Sequence, residues 1–429
     1  MSEPVLSPAR EAPGAGRAGQ VALASLLGAI VSYLVLWLGA RTLSTADNTV
    51  LLTFFSILFA VYGVLSGVAT ETTRSVATSI RDDRTVGPPV WVAGAAVAVI
   101  TGALVLALSP WWQPEVLHRT SPVLVGVLAV GAVGYTFHSA VMGSLVGSGW
   151  WREAAVVLTA DALCRFALCL LVVLAIGAST TLLAAASAGG AGAWLLVLLA
   201  KPHVREALRR RTDSAPRVLA RRMSASVLAQ AASAILIVGF PALLSVTTSK
   251  ADFRHSAPLL LAISLTRAPV LIPLNAVQGL VVSHLVHAPS VGLRLVLRAV
   301  ALVGAVTALG GVLAWLVGPW LMATLFGADY RVDGAVLAGL TVGACAIAAL
   351  TLSGAATQAS SAHTWFVGGW TLAAVVAFLV LLAPGSIEQR SVTALVAGPA
   401  AGLLVHALGF VRAMSRRRHR RQEEVTHDG

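Results

Sequence analysis

The side chains in this sequence best suited to chemistry are a few ionisable and amide groups set inside long apolar stretches. Arg267 lies about ten residues into one such stretch, with Asn275 and Gln278 downstream. On a helix, Gln278 falls about 20° and Asn275 about 80° from Arg267 around the axis, so the three make one polar stripe. A guanidinium flanked by amides suits oxyanions and hydroxyls, because its planar fork meets two oxygens at once. Pro269 and Pro273 interrupt the backbone ladder nearby, which a helix tolerates where it lines a cavity. The other reading is a structural arginine held by the carbonyls those prolines free.

Three further sets carry charge. Asp161 and Arg165 stand at i and i+4, the spacing at which a carboxylate and a guanidinium meet on a helix. They are read either as a packing pair or as a substrate or ion-coupling site, with packing favoured. Glu71 and Arg74 stand at the end of an apolar run, as an entry contact for substrate or as interface residues. His138 and His406 lie within apolar runs, where a bond to a neighbouring helix is favoured over proton coupling. Cys164, Cys169 and Cys345 lack metal-ligand spacing, so no disulfide framework, metal site or cofactor is expected. Gly189, Gly190 and Gly192 lack the strand and lysine of a phosphate loop. With Gly143/Gly147 and Gly339/Gly343 they are read as close helix contacts.

The elements that must hold these residues follow from composition. The chain has 429 residues, of which 57% are hydrophobic and 11% charged, against about 25% charged in soluble domains. An integral membrane protein is implied. Twelve runs reach the roughly 20 residues needed to cross the hydrocarbon, at about 20–40, 50–70, 90–108, 123–146, 154–176, 181–200, 224–246, 257–282, 299–320, 335–354, 365–382 and 392–411. They are too long and too uniformly apolar for barrel strands, so the fold class is an all-α polytopic bundle. The first run is longer than a signal-peptide core and is expected to be retained.

Of the 30 Lys and Arg residues, 22 fall on one side of this bundle, six on the other and two, Arg165 and Arg267, within spans. By the positive-inside rule both termini are cytoplasmic. The net charge of +12 is thereby a topology signal, and no nucleic-acid partner is expected. Trp111, Trp112, Trp150 and Trp151 sit where an interfacial belt would lie. The arginines at 209–211, 217, 221 and 222, and the C-terminal run from Arg416 to Arg421, could also meet anionic lipid headgroups.

The longest loop divides the spans six and six. Ser44-Thr45-Ala46-Asp47 matches Ser249-Lys250-Ala251-Asp252 at an offset of 205, and the later spans keep nearly the same offset. Two six-span halves of equal topology are parallel repeats related by an axis along the membrane normal. The expected parts are a cytoplasmic tail at 1–18, a lobe at 19–200, a basic cytoplasmic linker at 201–223, a second lobe at 224–411 and a basic cytoplasmic tail at 412–429. Repeats of this kind commonly enclose a midplane site and alternate access by rocking.

The run Ala40-Arg41-Thr42-Leu43-Ser44, the acidic turn at Asp47, and an apolar span ending near Glu71 and Arg74 resemble the start of polysaccharide exporters. These belong to the multidrug/oligosaccharidyl-lipid/polysaccharide exporter (MOP) superfamily. Asn48 and Thr49 depart from the usual aromatic residue and glycine, and twelve spans differ from the fourteen of the lipid II branch. The resemblance implies two six-helix lobes around a central cavity, and a flippase that carries an anionic lipid-linked oligosaccharide or polysaccharide precursor across the cytoplasmic membrane. It implies no covalent chemistry. Lipid-linked sugar is the expected substrate, with membrane lipids and polysaccharide-assembly enzymes as expected partners. Substrate contacts are expected at Arg267, Asn275, Gln278, Arg74 and Glu71. The runner-up is a cation-coupled multidrug exporter of the same superfamily, with Asp161 as its best ion site. A membrane glycosyltransferase or polymerase, for which Asp47 is the supporting feature, is a third class that the short outside loops disfavour.

Overall fold

The computed structural model describes residues 15–267, 270, 293–359 and 363–427, and among them it is all helical apart from one isolated β-bridge. In chain order the helices are α1 (Ala15–Thr42), α2 (Thr45–Arg81), α3 (Val90–Leu117), α4 (Pro122–Gly147) and α5 (Trp151–Leu171), the last continued by a π turn. Then come α6 (Thr180–Gly189), α7 (Ala193–Ala200), α8 (Arg205–Arg209), α9 (Pro216–Ile237), α10 (Phe240–Val246), α11 (Lys250–Phe253) and α12 (Ala257–Arg267). The chain closes with α13 (Leu293–Phe326), α14 (Gly334–Ala359), α15 (His363–Leu381) and α16 (Ile387–His427). Among the described residues, ten stretches are long and apolar enough to cross a membrane, and α9 with α10 makes an eleventh if that bent pair is one span. The expected eighth span is described only through α12 and Val270. Val130 at 73% and Leu174 at 76% exposure belong to an outward apolar surface, as a helix bundle in lipid requires.

Each deviation from the expected spans has a local cause. The sixth is interrupted by a 3₁₀ turn at Gly190–Gly192, where a β-carbon on Gly190 would come within 2.8 Å of the Arg165 β-carbon. The seventh bends by 70° between α9 and α10, beside Gly239 and Pro241, the latter at the start of α10 where its missing N–H costs nothing. The backbone groups freed at this bend find partners across the bundle. Ser56 donates to the Val238 carbonyl at 3.0 Å and accepts from the Ala242 N–H at 3.2 Å. Helix α9 begins at Pro216, whose fixed φ suits a first helical position.

Within the first lobe α2 and α3 pack on α4, and α1 on α5; within the second α14 and α15 pack on α16, and α13 on α14. Gly143 and Gly147 lie against α2, and Gly339 and Gly343 against α16. The lobes meet along α2 and α9. A β-carbon at Gly67 would stand 2.6 Å from the Ser226 backbone, so these two helices touch main chain to side-chain-free main chain, as small residues allow in membranes.

The repeated motif is also a repeated geometry. Ser44 Oγ accepts from the Asp47 N–H at 3.1 Å and bonds its carboxylate at 2.8 Å. Ser249 does the same to Asp252 at 3.2 and 2.7 Å. Both are N-caps that satisfy otherwise orphaned donors. The first opens the 37-residue α2, whereas the second opens the single turn of α11 before the chain turns again into α12.

Candidate functional site

Arg267 is the last described residue of α12, about 15 Å from that helix's start at 1.5 Å per residue. It is 7% exposed and donates through Nη1 to the carbonyl of Ile237, the last residue of α9 before its bend. Its guanidinium carbon lies 5.7 Å from the centroid of the Phe240 ring, within cation–π range. Nη2 has no hydrogen-bond partner among the described residues. Tyr33 of α1 reaches the Ser264 carbonyl, one turn before Arg267, at 3.2 Å, so the first lobe touches the same stretch of α12. Tyr33 and Thr266 also border a largely apolar cavity of about 640 Å³ with Met322, Phe326 and Leu337. Asn275 and Gln278, expected to continue the stripe, lie outside the described residues.

Glu71 and Arg74 belong to an ion-pair cluster with the linker. Arg74 holds Glu71 in its own helix at 2.6 Å and, with its two terminal nitrogens, Asp213 at 3.1 and 3.2 Å. Ser75 donates to Asp213 at 2.6 Å and accepts from its N–H at 3.1 Å. Arg222 of α9 reaches the same carboxylate at 3.4 Å and Ser214 at 3.0 Å. Around this cluster the linker pairs with the loop before α3. Gly87 N–H donates to Thr212 O at 2.8 Å, Val90 N–H to Arg210 O at 2.9 Å and Thr212 N–H to Pro88 O at 3.1 Å. Burial alone would raise the Asp213 carboxyl; the hydrogen bonds from Arg74, Ser75 and Ser214 outweigh it and pull it down to about 2.

In the first lobe Arg165 donates to Asp161 at 2.7 Å, with both side chains mostly buried. Its guanidinium carbon stands 4.9 Å from the Phe59 ring centroid. Tyr62 and Tyr135 stack at 4.0 Å, and Tyr135 stacks on His138 at 5.2 Å. Asp161 Oδ1, Arg165 Nε, Tyr62 Oη and His138 Nδ1 are buried without a hydrogen-bond partner among the described residues. His406, by contrast, is held by Ser353 at 2.8 Å and by the Phe366 carbonyl at 3.2 Å, the pattern of a histidine fixing helix packing.

At the far end of the bundle Arg41 donates to the carbonyls of Leu325 at 2.8 Å and Thr324 at 2.9 Å, and Trp37 to Leu325 at 2.9 Å. A cation here meets the negative end of α13. Asn48 donates to the Tyr330 hydroxyl at 2.7 Å. Arg41 and Asn48 thus fasten the first lobe to the second, and Asp47 is engaged by Ser44, the α2 cap described above. The sequence reading missed Asp213, Tyr33, Tyr62 and Tyr330. Only Asp213 carried a signal, as one of two acids, with Glu206, within the arginine-rich linker.

These elements, two lobes of apolar helices in contact along their seam, define a multi-pass integral membrane protein. Its fold is that of MOP superfamily transporters. An inward-facing multidrug resistance MATE family transporter of that superfamily superposes with a TM-score of 0.68 at 13% identity, covering 90% of this chain and 94% of that one. An outward-facing MATE structure gives 0.65 at 17%, covering 95% and 96%. A MOP superfamily transporter from Pyrococcus furiosus, described as having a binding pocket of reverse polarity that suggests a different function, gives 0.67 at 14%, covering 93% and 95%. At these identities the likeness is one of fold. No family model matches the sequence. Two uncharacterized proteins of Mycobacterium tuberculosis H37Rv are close in sequence: Rv1510, 36% identical over 401 residues, and Rv3630, 34% identical over 405, each match covering 92% of both chains. The chain belongs to the family these mycobacterial proteins form.

Proposed function

We propose that the protein is a flippase that moves an anionic, lipid-linked oligosaccharide or polysaccharide precursor across the cytoplasmic membrane by alternating access, with both termini cytoplasmic. The observation that carries this reading is Arg267. It is a buried cation ten residues into an apolar helix, its Nη1 bound to a backbone carbonyl and its Nη2 without a partner among the described residues. A charge so placed costs at least about 2.5 to 3.5 kcal/mol on insertion scales, and such residues mark substrate pathways. A sugar phosphate would satisfy it through charge-assisted hydrogen bonds, and Asn275 and Gln278 are proposed to add sugar or phosphate contacts. Arg74 and Glu71, tied to Asp213 at the basic end, would lie at the entry rather than in the passage. The transport step makes and breaks no covalent bond.

The test is flipping of a fluorescent lipid-linked sugar in proteoliposomes. Arg267→Ala should fold yet lose most translocation, and Arg267→Lys should recover part of it, because lysine keeps the charge and loses the bidentate fork. Full activity of a well-folded Arg267→Ala variant would remove the residue from the mechanism. A second reading, a cation-coupled multidrug exporter, is favoured by the unpartnered Oδ1 of Asp161 beside Tyr62 and His138. Efflux of cationic dyes driven by a pH gradient, abolished in Asp161→Asn, would support that reading.

A further inference from the structure

A groove of about 970 Å³ runs between α2, α9 and α15 in the half of the bundle that carries the basic linker. Val367, Leu372 and Val375 make most of its α15 wall apolar, beside Thr364 and Thr371, while Thr70, Ser226 and Gln230 stand opposite. Two of those polar groups are already engaged within the protein. Thr70 donates to the Ser66 carbonyl at 3.3 Å, and Gln230 to the Ser66 hydroxyl at 3.1 Å. The groove therefore suits a hydrocarbon chain better than a sugar.

Its mouth is cationic. Arg74 is four residues beyond Thr70 on α2, and Arg222 four residues before Ser226 on α9, so each arginine stands one turn above a groove residue on the same face. Their side chains are 39% and 42% exposed. Both reach one oxygen of Asp213, at 3.1 and 3.4 Å, so this point already accommodates an anion supplied by the chain itself. Arg412, stacked 5.0 Å from the Trp365 ring between groove residues Thr364 and Phe366, adds a cation to the same region. Arg222 lies just before the apolar run of its span, where a basic side chain could meet an anionic headgroup.

We infer that this groove binds a membrane lipid with a phosphate monoester head, its phosphate on Arg222 and the exposed edge of Arg74, its chain along α15. The phosphate competes with Asp213 for Arg222, whose contact to that carboxylate is the longest in the cluster. The site shares Arg74 with the entry of the flippase reading, but lipid occupancy is read without a transport step, so its failure is distinguishable from failure of that reading.

The experiment places the full-length protein in phosphatidylcholine nanodiscs doped with phosphatidic acid that carries a diazirine in one chain. After irradiation, labelled peptides are mapped by mass spectrometry and the melting temperature of each variant is recorded. Labelling should concentrate at 225–230 and 367–375 and exceed that from diazirine phosphatidylcholine. Arg222→Gln should reduce it about tenfold, the weight of one lost charge-assisted phosphate contact. Asp213→Asn should raise it by freeing the arginines. Thr371→Trp, which fills the groove and changes no charge, should abolish it, with Val375→Phe as the alternative if that variant fails to fold. Equal labelling by the zwitterionic lipid, labelling indifferent to Arg222→Gln and to the groove-filling change, or full competition by inorganic phosphate would each overturn the proposal; the last would indicate a site for free phosphate.

Discussion

In the first lobe the buried arginine, Arg165, faces its own carboxylate, Asp161, at 2.7 Å; in the second the buried arginine, Arg267, faces the Ile237 carbonyl and the Phe240 ring, and no carboxylate among the described residues pairs with it. The first arrangement is neutral overall and meets most of its desolvation cost locally. The second leaves net positive charge beside the place where Tyr33 brings the lobes together. Two halves with one topology have thus divided the electrostatic work. Under the flippase reading proposed above, an anionic substrate would be drawn to the unpaired Arg267 of the second lobe, whereas the first lobe pairs its buried arginine with Asp161.

The largest expected effect tests that division through stability. Asp161→Ala or Arg165→Ala alone should each cost about 3 to 5 kcal/mol, since the survivor is buried and uncompensated, and the double variant should recover most of the loss. Arg267→Met should cost less, about 1 to 3 kcal/mol, because it strands only a backbone carbonyl. Unfolding in a denaturing detergent series, followed by tryptophan fluorescence, measures all four. If Arg267→Met proved as damaging as Arg165→Ala, Arg267 would have a counter-charge after all and the contrast between the lobes would fail.

A smaller effect concerns the segment that joins them. Asp213 has its folded pKa lowered to about 2, so its stabilising contribution is fully present above the ordinary carboxylate value of about 4 and is lost as pH falls through the folded value. Amide exchange of Gly87, Val90 and Thr212, each normalised to the free-amide rate at the same pH, should lose protection between about pH 4 and 2. Asp213→Asn should show the weakened clip at neutral pH. Protection unchanged across that range would mean that the backbone pairing holds the linker to the first lobe without the carboxylate.

What the sequence displayed and what it concealed divide along the same physical line. Apolar run length, the Lys/Arg asymmetry, the Ser-x-Ala-Asp repeat and the i, i+4 spacing of Asp161 and Arg165 are local features, and a helix converts local spacing directly into geometry. Arg74 and Asp213 are 139 residues apart, and Arg267 and Ile237 are 30 apart; nothing in periodicity announces such pairs. The bend after Ile237 had weak local signals in Gly239 and Pro241, but each is tolerated inside membrane helices. The Tyr62–Tyr135–His138 stack was hidden for another reason. Aromatic residues in apolar runs read as ordinary core, and only the packing of α2 on α4 makes them neighbours of the ion pair.

The smallest expected effect lies in the repeated caps, where the lobes look most alike. Replacing an N-cap serine by alanine typically costs about 1 kcal/mol, because one of the first-turn N–H groups loses its acceptor. Ser44 caps a helix of 37 residues whose first turns also carry the inter-lobe bond from Asn48 to Tyr330 and the acceptance of the Ala257 N–H by Thr49 at 2.9 Å. Fraying that end disturbs both lobes, so Ser44→Ala should show the full cost. Ser249 caps the four-residue α11, after which the chain turns and restarts at Ala257. Little cooperative helix depends on it, and Ser249→Ala should cost only a few tenths of a kcal/mol. Asparagine at either position, which retains a side-chain acceptor, should be nearly neutral. Equal losses at the two sites would mean that the turn after α11 transmits cap strain into α12, and that the second lobe is stapled at its start as firmly as the first.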